Sequence, residues 1–450
     1  MAKGLVWAME ELAEQEAAAA AEASNTGFND TLEEDAPAAA EAADQVTDTV
    51  AAIEEAEEDL DTLEDIASVM DESSENGGMD QTAARVAEVA VESIYKRLGV
   101  RSKSAMPSME SFGSTKTRVT ATKIAVEEIK EKATAIWDAI VKAFQTLKQW
   151  IINFFKRLFD ANEALKQRAA ALQKMASTMS GTPSKEKEVD LGGLANKLTM
   201  GGSVSPEGVK KGIENIIANV NEVAETIKSG ISTGLASKEF EQYVLSKEKF
   251  DAYQSKTPGS VGSINVSKDD GYETIEGMKT SKFEETLGNK TIVTITPMSS
   301  LAGEAGFLAV SKLKTKVETF NKKQKALEKT TVPELGKNEV LAMINEVLNL
   351  TKAVDSSKAS IKALEVSIDA TVKDMKSLAS NNKAVEGSGQ RAKVIGKCLN
   401  GTVKYISGMA VNANSIAVAA GTAALGYAEK SIKGAGAAKE APGTAVAVAK

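Results

Sequence analysis

Histidine is absent from the 450 residues of this chain, and cysteine occurs once, as Cys398. The first absence removes the usual general base near neutral pH and the commonest metal ligand. Ser-His-Asp and Cys-His catalytic arrangements cannot be assembled. With one cysteine there is no intrachain disulfide and no cysteine-based zinc site, so nothing here demands an oxidising compartment. Aromatic residues make up 4% of the chain while hydrophobic residues reach 42%, so the core must be aliphatic and alanine-rich. No run of about 20 strongly apolar residues occurs. The nearest, Tyr405 to Ala428, is uncharged but rich in Ala, Gly and Ser and carries Asn412 and Asn414, which favours a small-residue core helix over the alternative of a membrane span. The opening MAKGLVWAMEELAEQE does not suit a secretory signal, because its apolar run is short and acidic residues follow at once.

What is present is helix-forming. Ala, Glu, Lys and Leu dominate long stretches, which favours helices over strands. Charge is distributed unevenly. Residues 1–110 hold 27 acidic against 6 basic side chains, a balance of −21. Residues 111–450 hold 36 against 48, a balance of +12. An acidic leader joined to a basic body suggests a polyanion partner, or an electrostatic partner within the chain.

Along the chain, helices are expected over 4–24, 37–72 and 80–98, the last with an apolar face through Val86, Val89, Val91, Ile94 and Leu98. DESSENGGMD at 71–80 is expected as a loop broken by Asn-Gly-Gly. The leader is only weakly apolar on any face, so partial disorder is a second expectation for it. Residues 101–117 read as a linker, since Pro107 lacks an amide donor and Ser, Gly and Thr follow Glu110. From Arg118 to Met175 there is neither Gly nor Pro. Trp137, Ile140, Val141, Phe144, Leu147, Ile151, Phe155 and Leu158 fall mostly at three- and four-residue steps, one wide stripe on a long helix. Residues 111–180 carry 12 basic against 6 acidic side chains, among them Lys142, Lys148, Lys156 and Arg157 as candidate polyanion contacts. Burial in a helix bundle explains so wide a stripe; a membrane surface or nucleic acid is the competing partner.

Residues 180–204 read as a loop, and 206–230 and 237–254 as helices. SINVS at 263–267, YETI at 272–275 and TIVTITP at 291–297 are short and β-branched, and predict a small antiparallel insert. Helix is expected again over 304–330, 338–382 and 389–434, followed by a frayed tail. The fold class is therefore mainly α: a long-helix bundle with a small antiparallel β insert, preceded by an acidic helical or partly disordered leader. The segments are 1–110, 111–180, 181–303, 304–434 and 435–450.

No motif for a reaction emerges. GTPSKEK at 181–187 lacks phosphate-loop spacing, EGSGQRAK at 386–393 lacks a third glycine, and Asp269-Asp270-Gly271 suits a turn better than a calcium loop. The chain is expected to be no enzyme and to need no cofactor or metal. Its function should lie in assembly, charge and interaction.

One short stretch stands apart, SAMPSMESFGSTKTR at 104–118. A protease that holds an extended segment reads alternate side chains from one side. Ser108 and Glu110 are two apart, and a cut between Glu110 and Ser111 falls where the charge changes sign. Small-x-Glu also occurs at Glu10, Glu54, Glu92 and Glu365 in expected helices, and at Glu75 and Glu186 in expected loops, where further cuts stay open. With SMESFGSTKTR, the acidic leader and the basic, histidine-free, helical body, the chain resembles the internal head proteins of large tailed phages, phiKZ-like or related myoviruses. The resemblance implies a propeptide ending at Glu110 that the prohead protease removes after Glu in a Ser/Ala-x-Glu context; T-even-type phages use a related apolar-x-Glu rule. It implies synthesis in the host cytoplasm and residence inside the capsid head. The partners it implies are packaged DNA bound without sequence preference, other capsid or inner-head proteins, and the protease. Exit with the genome, with transient membrane contact, is a further implication. Two other classes stay in play: a membrane-active, pore-forming-like helical protein, and an unprocessed scaffolding protein. Oligomeric state is left open.

Overall fold

In the computed structural model, residues 52–99 (without 54, 57 and 61), 106–179, 187–230, 264–298, 309–381 (without 311, 325, 326 and 328) and 388–437 are described. The expected helices at 4–24 and 237–254 and the tail after 437 lie outside them. The described chain is mainly helical with a small antiparallel sheet, as its composition demands. Residues 52–75 are helical at every described position (α1) and α2 is Gln81–Arg97. A 3-10 turn, Met109–Phe112, precedes the 63-residue α3, Thr115–Ser177. Then come β1 Glu188–Asp190, α4 Gly193–Leu198, α5 Pro206–Gly230, β2 Ile264–Asn265, β3 Met278–Lys282, β4 Lys290–Pro297, β5 Lys314–Thr319 and β6 Thr331–Pro333. Three helices close the order: α6 Lys337–Ser356, α7 Lys358–Asn381 and α8 Ser388–Ala437.

The chain divides into two units. Residues 52–152 belong to the first with the end of α7 and the start of α8; 153–367 and 401–437 belong to the second. The boundaries fall inside helices.

In the first unit, α1 buries Ile53, Ala56, Leu60, Leu63, Ala67 and Met70, alternating steps of three and four residues. In α2 and just beyond, Ala84, Ala87, Val91, Ile94 and Leu98 repeat that alternation, as do Val126, Ile129, Ala133, Ile136 and Ile140 in α3. Such a 3-4 stripe is the seam of closely packed, nearly aligned helices. The turn between α1 and α2 is set by Gly77 and Gly78, both at positive φ, with the Gly78 amide donating to the Ser73 carbonyl at 2.8 Å. Asp80 caps α2, accepting from the Ala83 amide at 2.8 Å. Across this hairpin Arg97 Nε donates to both carboxylate oxygens of Asp59 at 3.1 Å, so α1 and α2 run antiparallel.

Two expectations change here. The helix α1 continues through Glu75, so the loop at 71–80 shrinks to residues 76–80. Of the face expected for α2, Val91, Ile94 and Leu98 are buried, but Val86 and Val89 are exposed, and Ala84 and Ala87 take their place in the first turns. Alanine carries little weight in a hydrophobic pattern but allows close helix approach.

The second unit is built around α8. From Val403 to Ile432 nearly every residue of α8 is buried or half-buried. A helix apolar all round must be enclosed. Gly421 makes room: a Cβ there would lie 2.6 Å from Leu165 Cδ2 and 3.5 Å from Leu350 and Val347, so α3 and α6 close directly on α8. The Tyr427 hydroxyl donates to the Pro333 carbonyl at 2.6 Å and the Leu335 amide donates to Ser431 Oγ at 3.2 Å. One sheet has the order β2-β3-β4-β5, all antiparallel, and β1 pairs with β6 separately. In β4 the six residues Thr291 to Thr296 are all buried, the mark of a strand covered on both faces.

Strands were misplaced in part. TIVTITP is β4 and SINVS contains β2, but YETI forms no strand. Tyr272 is instead a buried anchor whose hydroxyl donates to the Thr319 and Phe320 carbonyls, at 3.1 and 2.6 Å. The helix expected over 304–330 is corrected to β5, and the loop expected over 180–204 contains β1 and α4.

Candidate processing turn and basic helix

Phe112 organises the stretch around the sign change. Its ring is fully buried and pulls Met109–Phe112 into one 3-10 turn. Ser108 and Glu110 are exposed and Ser111 is half-buried. The Ser111 amide, the nitrogen of the expected scissile bond, donates to the Ser108 carbonyl at 2.8 Å. The Gly113 amide donates to the Glu110 carbonyl at 3.1 Å. Downstream, Thr117 Oγ1 donates to the Ser111 carbonyl at 2.7 Å and Arg118 Nε to the Phe112 carbonyl at 3.1 Å. The open linker expected here is thus corrected to a closed turn. A protease needing an extended strand would have to open it and lift out Phe112, at roughly 2–3 kcal/mol for the side chain.

Three of the other small-x-Glu triplets named above end in helix. Glu75 ends α1 with Ser74 buried beneath it, Glu92 lies within α2 and Glu365 within α7. Glu10, Glu54 and Glu186 lie outside the described residues.

The stripe on α3 is core. Ile140, Val141, Phe144, Ile151, Phe155 and Leu158 are buried and Trp137 is half-buried; the Leu147 side chain lies outside the described set. Phe155 packs edge-on against Phe154 at 5.4 Å between ring centroids and stacks on Phe159 at 6.1 Å. Of the four candidate cations, Lys142, Lys156 and Arg157 are exposed and make no ion pair with a described residue. Lys148 differs: its ammonium is paired with Asp369.

Pattern reading missed that the leader is tied to α3. The Met79 amide donates to the buried Thr122 Oγ1 at 3.0 Å, and that hydroxyl donates to the Arg118 carbonyl at 2.9 Å. Asp71 and Lys130 are 2.9 Å apart. A Cβ on Gly78 would lie 2.7 Å from the Arg118 carbonyl carbon. Burial, reinforced by the Glu128 carboxylate, pushes the Tyr95 hydroxyl of α2 up to about 12. The 3-4 alternation from Ile53 to Met70 was the available signal.

Ion pairs elsewhere are structural. Burial would raise the Asp355 carboxyl, but Lys166 and Lys358 outweigh it and hold it below the usual range. Glu429 behaves alike, between Lys433 and Arg168. Among the described residues no group of three Asp, Glu or Cys side chains could hold a metal ion.

Long seamed helices and a small enclosed sheet define a mainly α protein. The family model for phiKZ-like phage internal head proteins matches residues 29–430, and the chain belongs to that family, whose place is inside the phage head. Neither the curated proteins nor the solved structures contain a match.

Proposed function

We propose that the chain is a precursor made in the host cytoplasm and assembled into the prohead beside other inner-head proteins. There the prohead protease cuts it between Glu110 and Ser111. The product, residues 111–450, is a non-enzymatic basic body that stays with packaged DNA. The observation carrying this reading is the coincidence of an exposed Ser108-Met109-Glu110 turn with the boundary between −21 and +12 of charge. A body with excess cations binds duplex DNA by displacing condensed counterions, without reading bases. Intact mass and N-terminal peptide mapping of purified virions test the cut. A mature chain beginning at Ser111 is expected, and full-length chains in mature particles would overturn it.

A second reading rests on α8. Residues Gly401–Ala435 are long and apolar enough to cross a membrane, though most of that window is buried in the second unit. Were the body membrane-active, residues 111–450 would release dye from liposomes at micromolar concentration; intact liposomes decide for the head-protein role. An unprocessed scaffold is separated by deleting 1–110, which such a scaffold would tolerate in assembly.

A further inference from the structure

A cut at Glu110 breaks one covalent link between leader and body, but the structure shows several non-covalent ones. The leader residues 52–99 form an antiparallel helical hairpin in the same unit as the first half of α3. Its inner positions Ile53, Leu63, Met70, Ala84 and Val91 are at most 1% exposed. The α3 positions Ala125, Val126, Ile129 and Ile140 are at most 2% exposed. Polar ties reach across at the Met79 amide on Thr122 and at Asp71 on Lys130. These run in one direction: Asp71 meets Lys130 while Met79 meets Thr122, so α1 lies antiparallel to α3. The turn joining α1 to α2 is held where Gly78 abuts the backbone of Arg118 and Val119.

We infer that residues 115–144 of α3 are a docking surface for the acidic hairpin 52–98, which stays seated there as a separate chain after the bond at Glu110 is cut. The inference rests on the processing reading for the existence of that cut. Its consequence concerns charge. Residues 52–99 contain 14 acidic and 3 basic side chains, so a retained hairpin keeps −11 beside the basic body. The cut arms the protein, and unseating the hairpin completes the change of sign.

The test uses the full chain with the recognition sequence of a specific recombinant protease inserted between Glu110 and Ser111. After complete cutting in vitro, size-exclusion chromatography is run at about 0.1 M and about 1 M salt, which screens exposed charge pairs beyond a few ångströms. Both fragments are expected in one peak at both salts, because apolar burial survives screening. Separation at either salt overturns the inference. Leu63→Asp puts an unpaired carboxylate in the seam and should weaken retention at least about a hundredfold. Val86→Asp, at a position 67% exposed, should leave retention unchanged. Should the Leu63 variant fail to fold before cutting, as judged by circular dichroism, the unsubstituted pair still decides the matter. Finding full-length chains in virions would remove the cut and leave the fragment result standing, so the two failures are distinguishable.

Discussion

Thr122 shows how much one hydroxyl can hold. It is fully buried in α3, accepts from the Met79 amide and donates to the Arg118 carbonyl. Thr122→Val keeps the shape and strands the Met79 N–H, which costs about 1–3 kcal/mol for a buried unsatisfied donor. Urea unfolding followed by helix signal should show that loss; an unchanged midpoint would mean that the amide finds water. Titration is governed by single residues too. Asp355 and Glu429 are held below their ordinary range by neighbouring cations. Their contribution is therefore present above about pH 4.5, the unfolded range, and fades as pH falls through the lowered folded values. Tyr95, Tyr405 and Tyr427 are raised by burial, so stability is whole below about pH 10 and is lost as pH climbs past it. With no histidine in the chain, the melting temperature should be flat from about pH 6 to 7.5, below the ordinary thiol range of Cys398. A step near pH 6.5 in a thermal-melt series would contradict this account.

At the scale of elements, the turn between α1 and α2 separates strain from contact. Gly77 has φ +101° and open space around its missing Cβ, whereas Gly78 has φ +81° and the backbone of α3 2.7 Å away. Gly77→Ala should cost about 1–2 kcal/mol from backbone conformation alone. Gly78→Ala must also push the hairpin off α3, and should lower the urea midpoint clearly further. Equal midpoints would mean that the hairpin does not depend on that contact. These elements also show where sequence patterns suffice. The α3 stripe and strand β4 were legible, because a long 3-4 period and a β-branched run each allow one answer. The later half of α2 was legible through Val91, Ile94 and Leu98, but its first turns were not, because Val86 and Val89 outweigh Ala84 and Ala87 in apolarity while the alanines permit close packing. In β5, Thr315, Val317 and Thr319 alternate as a strand does, but strand formation depends on pairing with the preceding strand β4 across a connection that carries no turn signature of a tight hairpin. The 3-10 turn was hidden for a similar reason: Pro, Ser and Gly signal irregular backbone, and only the burial of Phe112 decides that it closes. The candidate cut site was legible as a place in the charge map, and its conformation was not.

For the whole molecule the governing quantity is charge, −9 for the full chain and +12 for residues 111–450. On the proposed DNA-binding reading, Lys148, Lys130, Lys166 and Arg168 start out in ion pairs with carboxylates, which a phosphate would have to displace. Lys142, Lys156 and Arg157 remain exposed on α3. If these three contact phosphates, replacing them with Gln should reduce the slope of log affinity against log salt by about 2–3, since each phosphate neutralised contributes roughly 0.9. Loss of affinity should be uniform across DNA sequences. The measurement is fluorescence anisotropy of a labelled duplex over a salt series, with the 111–450 body, its triple variant and the full chain. The full chain should bind weakest. A body cut at Glu110 but still carrying the hairpin should bind more weakly than the 111–450 body made alone, because the seated leader stays beside the cations. Equal binding by the cut and leaderless bodies would separate DNA binding from the acidic hairpin. An unchanged slope in the triple variant would move the DNA contacts off α3.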